Sequence, residues 1–223
     1  MAGGLVLMGI LLALLPLPAA MMLHGITQLA SNGWRALMLR SQVDWRIFGG
    51  YMTGAALTLL VFAFFQFVVN KPVALIAMGA TPFVVLALPA KLMLNVERPW
   101  HPFVCGLVCQ VLSLTAGVSG PILDAWFVRS MLTRHAVVAT KAMTQASSHL
   151  LKIVYFGGVM AMAGAEVSVL LAASMVILAF VGTTLSRQVL KRMSDASFRK
   201  WTRWTVMTLG AIYLVTGVTM MVG

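Results

Sequence analysis

The chain has 223 residues, of which 61% are hydrophobic and 9% charged, and its net charge is +11 at pH 7. Apolar runs recur along the whole length, which excludes an ordinary water-soluble core and predicts an integral membrane protein. A basic excess in a soluble domain would suggest a nucleic-acid partner. Here most Lys and Arg fall between apolar runs, where they orient a chain in the bilayer, so no nucleic acid is expected.

In chain order the apolar stretches cover residues 2–17, 20–39, 47–69, 73–94, 101–119, 120–133, 136–156, 166–186 and 204–222. About 20 residues are needed to cross the hydrocarbon, so the first, the fifth and above all the sixth are short. Short apolar pieces interrupted by Gly and Pro predict broken or re-entrant helices. The interruption is explicit at Gly117, Val118, Ser119, Gly120 and Pro121, and its counterpart is Ala2, Gly3 and Gly4. Leu5 to Leu15 lacks the basic start and small-residue cleavage site of a secretory signal and is read as part of the mature protein.

Inside these stretches one polar row occurs twice. His24, Thr27, Gln28, Ser31 and Arg35 are matched, at the same spacing, by Lys141, Thr144, Gln145, Ser148 and Lys152. Offsets of three, four, seven and eleven share one helix face, and polar rows are costly in lipid, so they point to function. Gly3 with Gly120, Leu15 with Leu132 and Ala19 with Ala136 extend the match, and Gly54 pairs with Gly182 once an insertion near 157–164 is allowed. The pattern predicts a duplication.

The basic residues choose between topologies. The linker 186–203 carries Arg187, Lys191, Arg192, Arg199, Lys200 and Arg203 and should be cytoplasmic. If 101–133 is a hairpin that enters and leaves on one side, then Arg35, Arg40, Arg46, Lys91, Arg98, Arg129 and Arg134 join it there, and Lys71 alone faces out. The predicted fold is therefore an all-α integral membrane protein, a polytopic helical bundle of two related halves, 1–98 and 99–223, with broken or re-entrant helices. The halves are inverted on this reading, and parallel halves are the alternative. The second half has an apolar segment, 101–118, with no counterpart ahead of Gly3, so a truncated or misassigned start is expected.

Ser119 suits an N-cap and Pro121 a first helical turn, and a helix that starts inside the membrane presents unpaired N–H donors and the positive end of its dipole to an anion. A Gly-Pro kink satisfied by neighbouring helices is the alternative. Thr27, Gln28, Ser31, Thr144, Gln145 and Ser148 supply uncharged donors that could hold an oxyanion and release it, or hydrogen bonds that glue helices. Lys141 is the candidate for attracting the anion, with His24 at the matching place in the first row. Lys152 either lines the path or snorkels to the interface. Asp124 is expected to pair with Arg129 or Lys141, a coupling proton being the other reading.

Cys105 and Cys109 share one face of an apolar segment and are read as small buried hydrophobes. No nucleophile elbow, HExxH, P-loop or dense His/Asp cluster is present, so no catalytic residue, metal or cofactor is expected. The candidate binding residues are Gly3, Gly4, Thr27, Gln28, Ser31, Ser119, Gly120, Lys141, Thr144, Gln145 and Ser148. Two rival readings stand beside transport: an intramembrane thiol redox or sulfur-transfer enzyme on the two cysteines, and a membrane scaffold.

The run GVSGPILDAWFVRSMLTRHAVVATKAMTQASSHLLKIVYFGG, Gly117 to Gly158, resembles the second-half signature of the TauE/SafE sulfite exporter family. The segment from MAGG through QVDWR is similar to that family's first half, and GTTLSRQVLKRMSDASFRKWTRWTVMTLGAIYLVTG, Gly182 to Gly217, resembles its C-terminal end. The chain departs from the family pattern in lacking the first apolar helix and in carrying Pro121 where a further Gly is common. The resemblance implies a multi-pass bacterial inner-membrane exporter of small sulfur oxyanions or organosulfonates.

Overall fold

The computed structural model describes residues 2–87, 94–192 and 194–222. Lys91 and the side chains of Arg187, Lys191, Arg192 and Arg199, expected above on the cytoplasmic side, lie outside the described set. The described residues form helices and turns with no strand: α1 (Ala2–Leu14), α2 (Leu17–Met38), α3 (Trp45–Phe65), α4 (Lys71–Ala87), α5 (His101–Thr115), α6 (Gly120–Phe127), α7 (Arg134–Met162), α8 (Val169–Arg192) and α9 (Asp195–Val222), with a single 3-10 turn at Arg40–Gln42. Each helix follows one of the apolar stretches. The main difference lies at 186–203, expected as a linker and instead taken up by the ends of α8 and α9. Charge orients a segment but does not end a helix, and Arg, Gln, Leu and Lys are good helix formers.

Helix ends are fixed by local chemistry. Asp44 caps α3 by accepting from the N–H groups of Arg46 (3.1 Å) and Ile47 (3.0 Å), and Thr133 caps α7 by accepting from Ala136 N–H at 3.2 Å. Pro18, Pro102 and Pro121 each stand in a first turn, where the missing N–H costs nothing.

Three helix pairs cross at glycines, and the contacts give their directions. α2 and α7 run antiparallel: Gly25 lies against Lys152 and Ile153, while at the other end Asp44 N–H donates to Thr140 Oγ1 at 2.9 Å. α4 and α9 are antiparallel too, with Gly79 facing Gly210 and Leu214, and Gly217 facing Pro72 and Ile76. α3 and α5 are parallel and closest of all: a Cβ on Gly54 would run into the Phe103 carbonyl, and one on Gly106 into that of Tyr51. α6 turns back along α5, since His101 at the start of α5 meets Trp126 near the end of α6, ring centroids 5.6 Å apart. Val96 N–H donates to Trp126 O at 3.1 Å and holds that end.

One core cluster joins α1, α2, α4, α7 and α9 around Met8, Leu12, Met21, Met78 and Phe156. A second joins α3, α5 and α6 around Tyr51, Cys105, Cys109, Leu123 and Trp126. The two cysteines are fully buried there, their Sγ atoms 3.9 Å apart. The outer surface is also apolar, with Phe64, Leu170, Leu178 and Val222 turned outward. Trp45–Phe65 and Lys200–Val222 are long and apolar enough to cross a membrane.

Candidate functional site

The site is built on the glycine break between α5 and α6 and on the glycines in the first turn of α1. After α5 the chain passes through Gly117, whose φ of +76° lies in the left-handed region that favours glycine, and restarts as α6 at Gly120. Ser119 occupies the N-cap position but its hydroxyl makes no capping bond, a difference from the sequence expectation. Pro121 has no N–H and Leu123 N–H bonds back to Ser119 O at 3.0 Å, so Gly120 and Ile122 carry the N–H groups without an acceptor inside the helix. At the counterpart expected from sequence no break is seen: Gly3 and Gly4 lie within the first turn of α1.

Each glutamine of the paired rows sits over one of these glycines. A Cβ on Gly4 would come 2.5 Å from Gln28 Nε2, and a Cβ on Gly120 would lie 3.7 Å from Gln145 Nε2. Between the first turn of α1 and the 117–120 break is a cavity of about 470 Å³. Gly3, Gly4, Thr27, Gln28, Ser31, Ser119, Gly120, Lys141 and Gln145, residues chosen from sequence, all line it. Thr144 and Ser148 do not. Thr144 donates to Lys141 O at 3.0 Å, and the buried Ser148 hydroxyl bonds the Tyr51 hydroxyl at 2.7 Å, because α3 covers that side of α7.

On α2 the polar row is oriented by its own neighbours. Asn32 Nδ2 donates to Gln28 Oε1 (3.3 Å) and Arg35 Nη1 to Asn32 Oδ1 (3.5 Å), so the Gln28 oxygen is engaged and its NH₂ group is turned toward Gly4. Thr27 donates to Leu23 O at 2.8 Å, and Ser31 bonds Thr183 of α8 at 2.9 Å.

The cations are placed at two depths. Lys141, at the cavity wall, forms an ion pair with Asp124 of α6. Lys152 is fully buried behind the cavity and does not snorkel: its Nζ donates to Gly117 O at 3.0 Å and lies 2.8 Å from His24 Nδ1. His24 is equally buried, and its Nε2 donates to Gly4 O at 3.0 Å. A carbonyl only accepts, so the hydrogen sits on Nε2 and Nδ1 accepts from the lysine. Lys152 and His24 thus tie the first turn of α1 to the α5–α6 break.

Sequence reasoning missed three contributors. His149 lines the cavity, is 6% exposed, and its Nδ1 has no hydrogen-bond partner. It stands one residue past the second matched serine, where the first row has Asn32, and that register was the available signal. Gly182 and Thr183 of α8 complete the wall. Among the described residues no group of three or more His, Cys, Asp or Glu side chains could hold a metal ion. The buried cysteines do not line the cavity. No protein-family model, curated protein or solved structure matches this chain.

Proposed function

We propose that this protein is a multi-pass inner-membrane transporter of two inverted halves, and that the cavity binds and carries a small oxyanion. The observation that carries the reading is the convergence of both sets of matched glycines and both glutamines on one cavity. Its wall carries uncharged donors together with Arg35 and Lys141, Lys152 lies behind it, and the nearby Asp124 carboxylate is neutralised by Lys141. Donors without net charge can hold an anion and let it go. A volume of about 470 Å³ leaves room for an organosulfonate or for a smaller anion with part of its hydration.

Helix directions support the inverted arrangement. Helices related by a two-fold axis in the membrane plane meet antiparallel, as α2 meets α7 and α4 meets α9. With α3 and α5 entering from one side and α6 returning, the segments around 39–46, 94–100 and 128–134 fall on a common side with their Arg residues, as the positive-inside rule asks. Eight residues of α6 rise about 12 Å and fit a re-entrant piece rather than a span. The outward apolar side chains face lipid in this arrangement.

The cargo class rests on the resemblance of 117–158 and 182–217 to the TauE/SafE family, which favours sulfite or an organosulfonate and export. The test is flux in proteoliposomes with sulfite, sulfoacetate and a carboxylate of similar size. Saturable flux, faster for the sulfur oxyanions, is expected. Absence of saturable flux for every anion overturns the reading.

A further inference from the structure

Three titratable groups meet behind the cavity, and their hydrogen bonds do not treat them alike. Lys152 and His24 are locked: the lysine is held by Gly117 O and His24 Nδ1, and the far nitrogen of His24 by Gly4 O. A proton added to His24 would have to sit on Nδ1, directly against the lysine ammonium. The pair therefore has room for at most one charge and no place for a second.

His149 is different. Its ring stands edge-on to His24, centroids 5.5 Å apart and 69° between planes, one helical turn before Lys152 on the same face of α7. It lines the cavity, and no hydrogen bond at Nδ1 fixes its tautomer or its charge. In the empty cavity the Lys152 charge opposes a second cation so near. An anion placed in the cavity offsets that charge and removes the opposition.

Other charged or titratable groups packed around α7 do not supply this response. Lys141 is committed to Asp124, Arg35 lines the cavity beside Asn32 as a permanent guanidinium that takes up no proton, and Tyr51 of α3 bonds Ser148 on the side away from the cavity. Among the described residues, the 117–120 break and the cavity-lining part of α8 carry no charged side chain at the site.

We propose that His149 takes up a proton when the anion binds, so that anion and proton occupy the site together. This rests on the anion reading above. The step is one proton passing from water to a ring nitrogen lone pair; no other bond changes. For a singly charged anion the loaded site then gains no net charge, which lowers the cost of moving it through the low-dielectric interior.

The test uses methanesulfonate, the anion of a strong acid, so that any proton counted belongs to the protein. Binding heats at pH 7 in two buffers of different ionisation enthalpy give the protons taken up per anion. About one is expected for the unmodified protein and none for His149→Gln. Binding without uptake, or uptake that survives His149→Gln, overturns the proposal. If methanesulfonate and sulfoacetate both fail to bind, the anion reading itself falls. The histidine assignment is then judged by ¹⁵N spectra of the empty, histidine-labelled protein. Lys152→Met must raise the charged fraction of His149 at fixed pH, and no change overturns it independently.

Discussion

The two polar rows match in sequence and differ in burial. Thr144, Ser148 and Lys152 on α7 are buried, whereas Thr27, Gln28 and Ser31 on α2 remain half-buried at the cavity wall. The cause lies one helix further out. α7 is covered by α3, which is clamped by α5 through Gly54 and Gly106; α2 is covered by α8, and at Gly182, the residue paired with Gly54, no atom stands within 4 Å. Thr144 and Ser148 thus act as structure under the clamped cover, while Lys141 and Gln145 of the same row stay at the cavity wall, as Thr27, Gln28 and Ser31 do under the open cover.

Glycine substitution tests that difference most severely. Gly54→Leu drives a side chain into the Phe103 backbone, which cannot retreat without parting α3 from α5, and a loss of about 3 kcal/mol or outright failure to fold is expected. Gly182→Leu meets open space, and a change within about 0.5 kcal/mol is expected. Equal losses in detergent unfolding assays would erase the contrast between clamped and open helices.

Much of this arrangement could be read before any coordinates, for a physical reason. Apolar runs of helical length bounded by Pro, Gly and charged residues form helices, so the helix order followed the hydropathy. The row face on α2 and the matched glycines were local patterns, and the cavity gathers them. What stayed hidden was long-range. Nothing local indicates that Lys152 will meet His24 or that Tyr51 will draw Ser148 away from the cavity, since those contacts depend on which helices become neighbours. His149 was passed over because its matched position holds Asn32, a residue of different chemistry.

A smaller effect is expected at the hydroxyls. Tyr51→Phe leaves the buried Ser148 hydroxyl without its 2.7 Å partner and should cost about 1 kcal/mol. Ser31→Ala loses the bond to Thr183 at the half-buried wall, where water from the cavity can replace it, and should cost less than about 0.5 kcal/mol. Unfolding midpoints of the two variants, compared at constant denaturant slope, decide whether the rows differ as their burial implies.

The smallest effect lies in orientation. Asn32 holds the Gln28 oxygen and so points the Gln28 NH₂ group toward Gly4, while in the second row the corresponding place is taken by His149. Asn32→Ala removes no group from the anion but frees the Gln28 amide to rotate, and methanesulfonate affinity should fall about two- to threefold, the effect of losing a preset donor rather than the donor itself. Gln28→Leu removes the donor and should cost about tenfold. Because Asn32 acts through Gln28, the double variant should bind no more weakly than Gln28→Leu alone. Additive losses would mean that Asn32 meets the anion directly, and the first row would then hold its ligand with two amides where the second uses one amide and an imidazole.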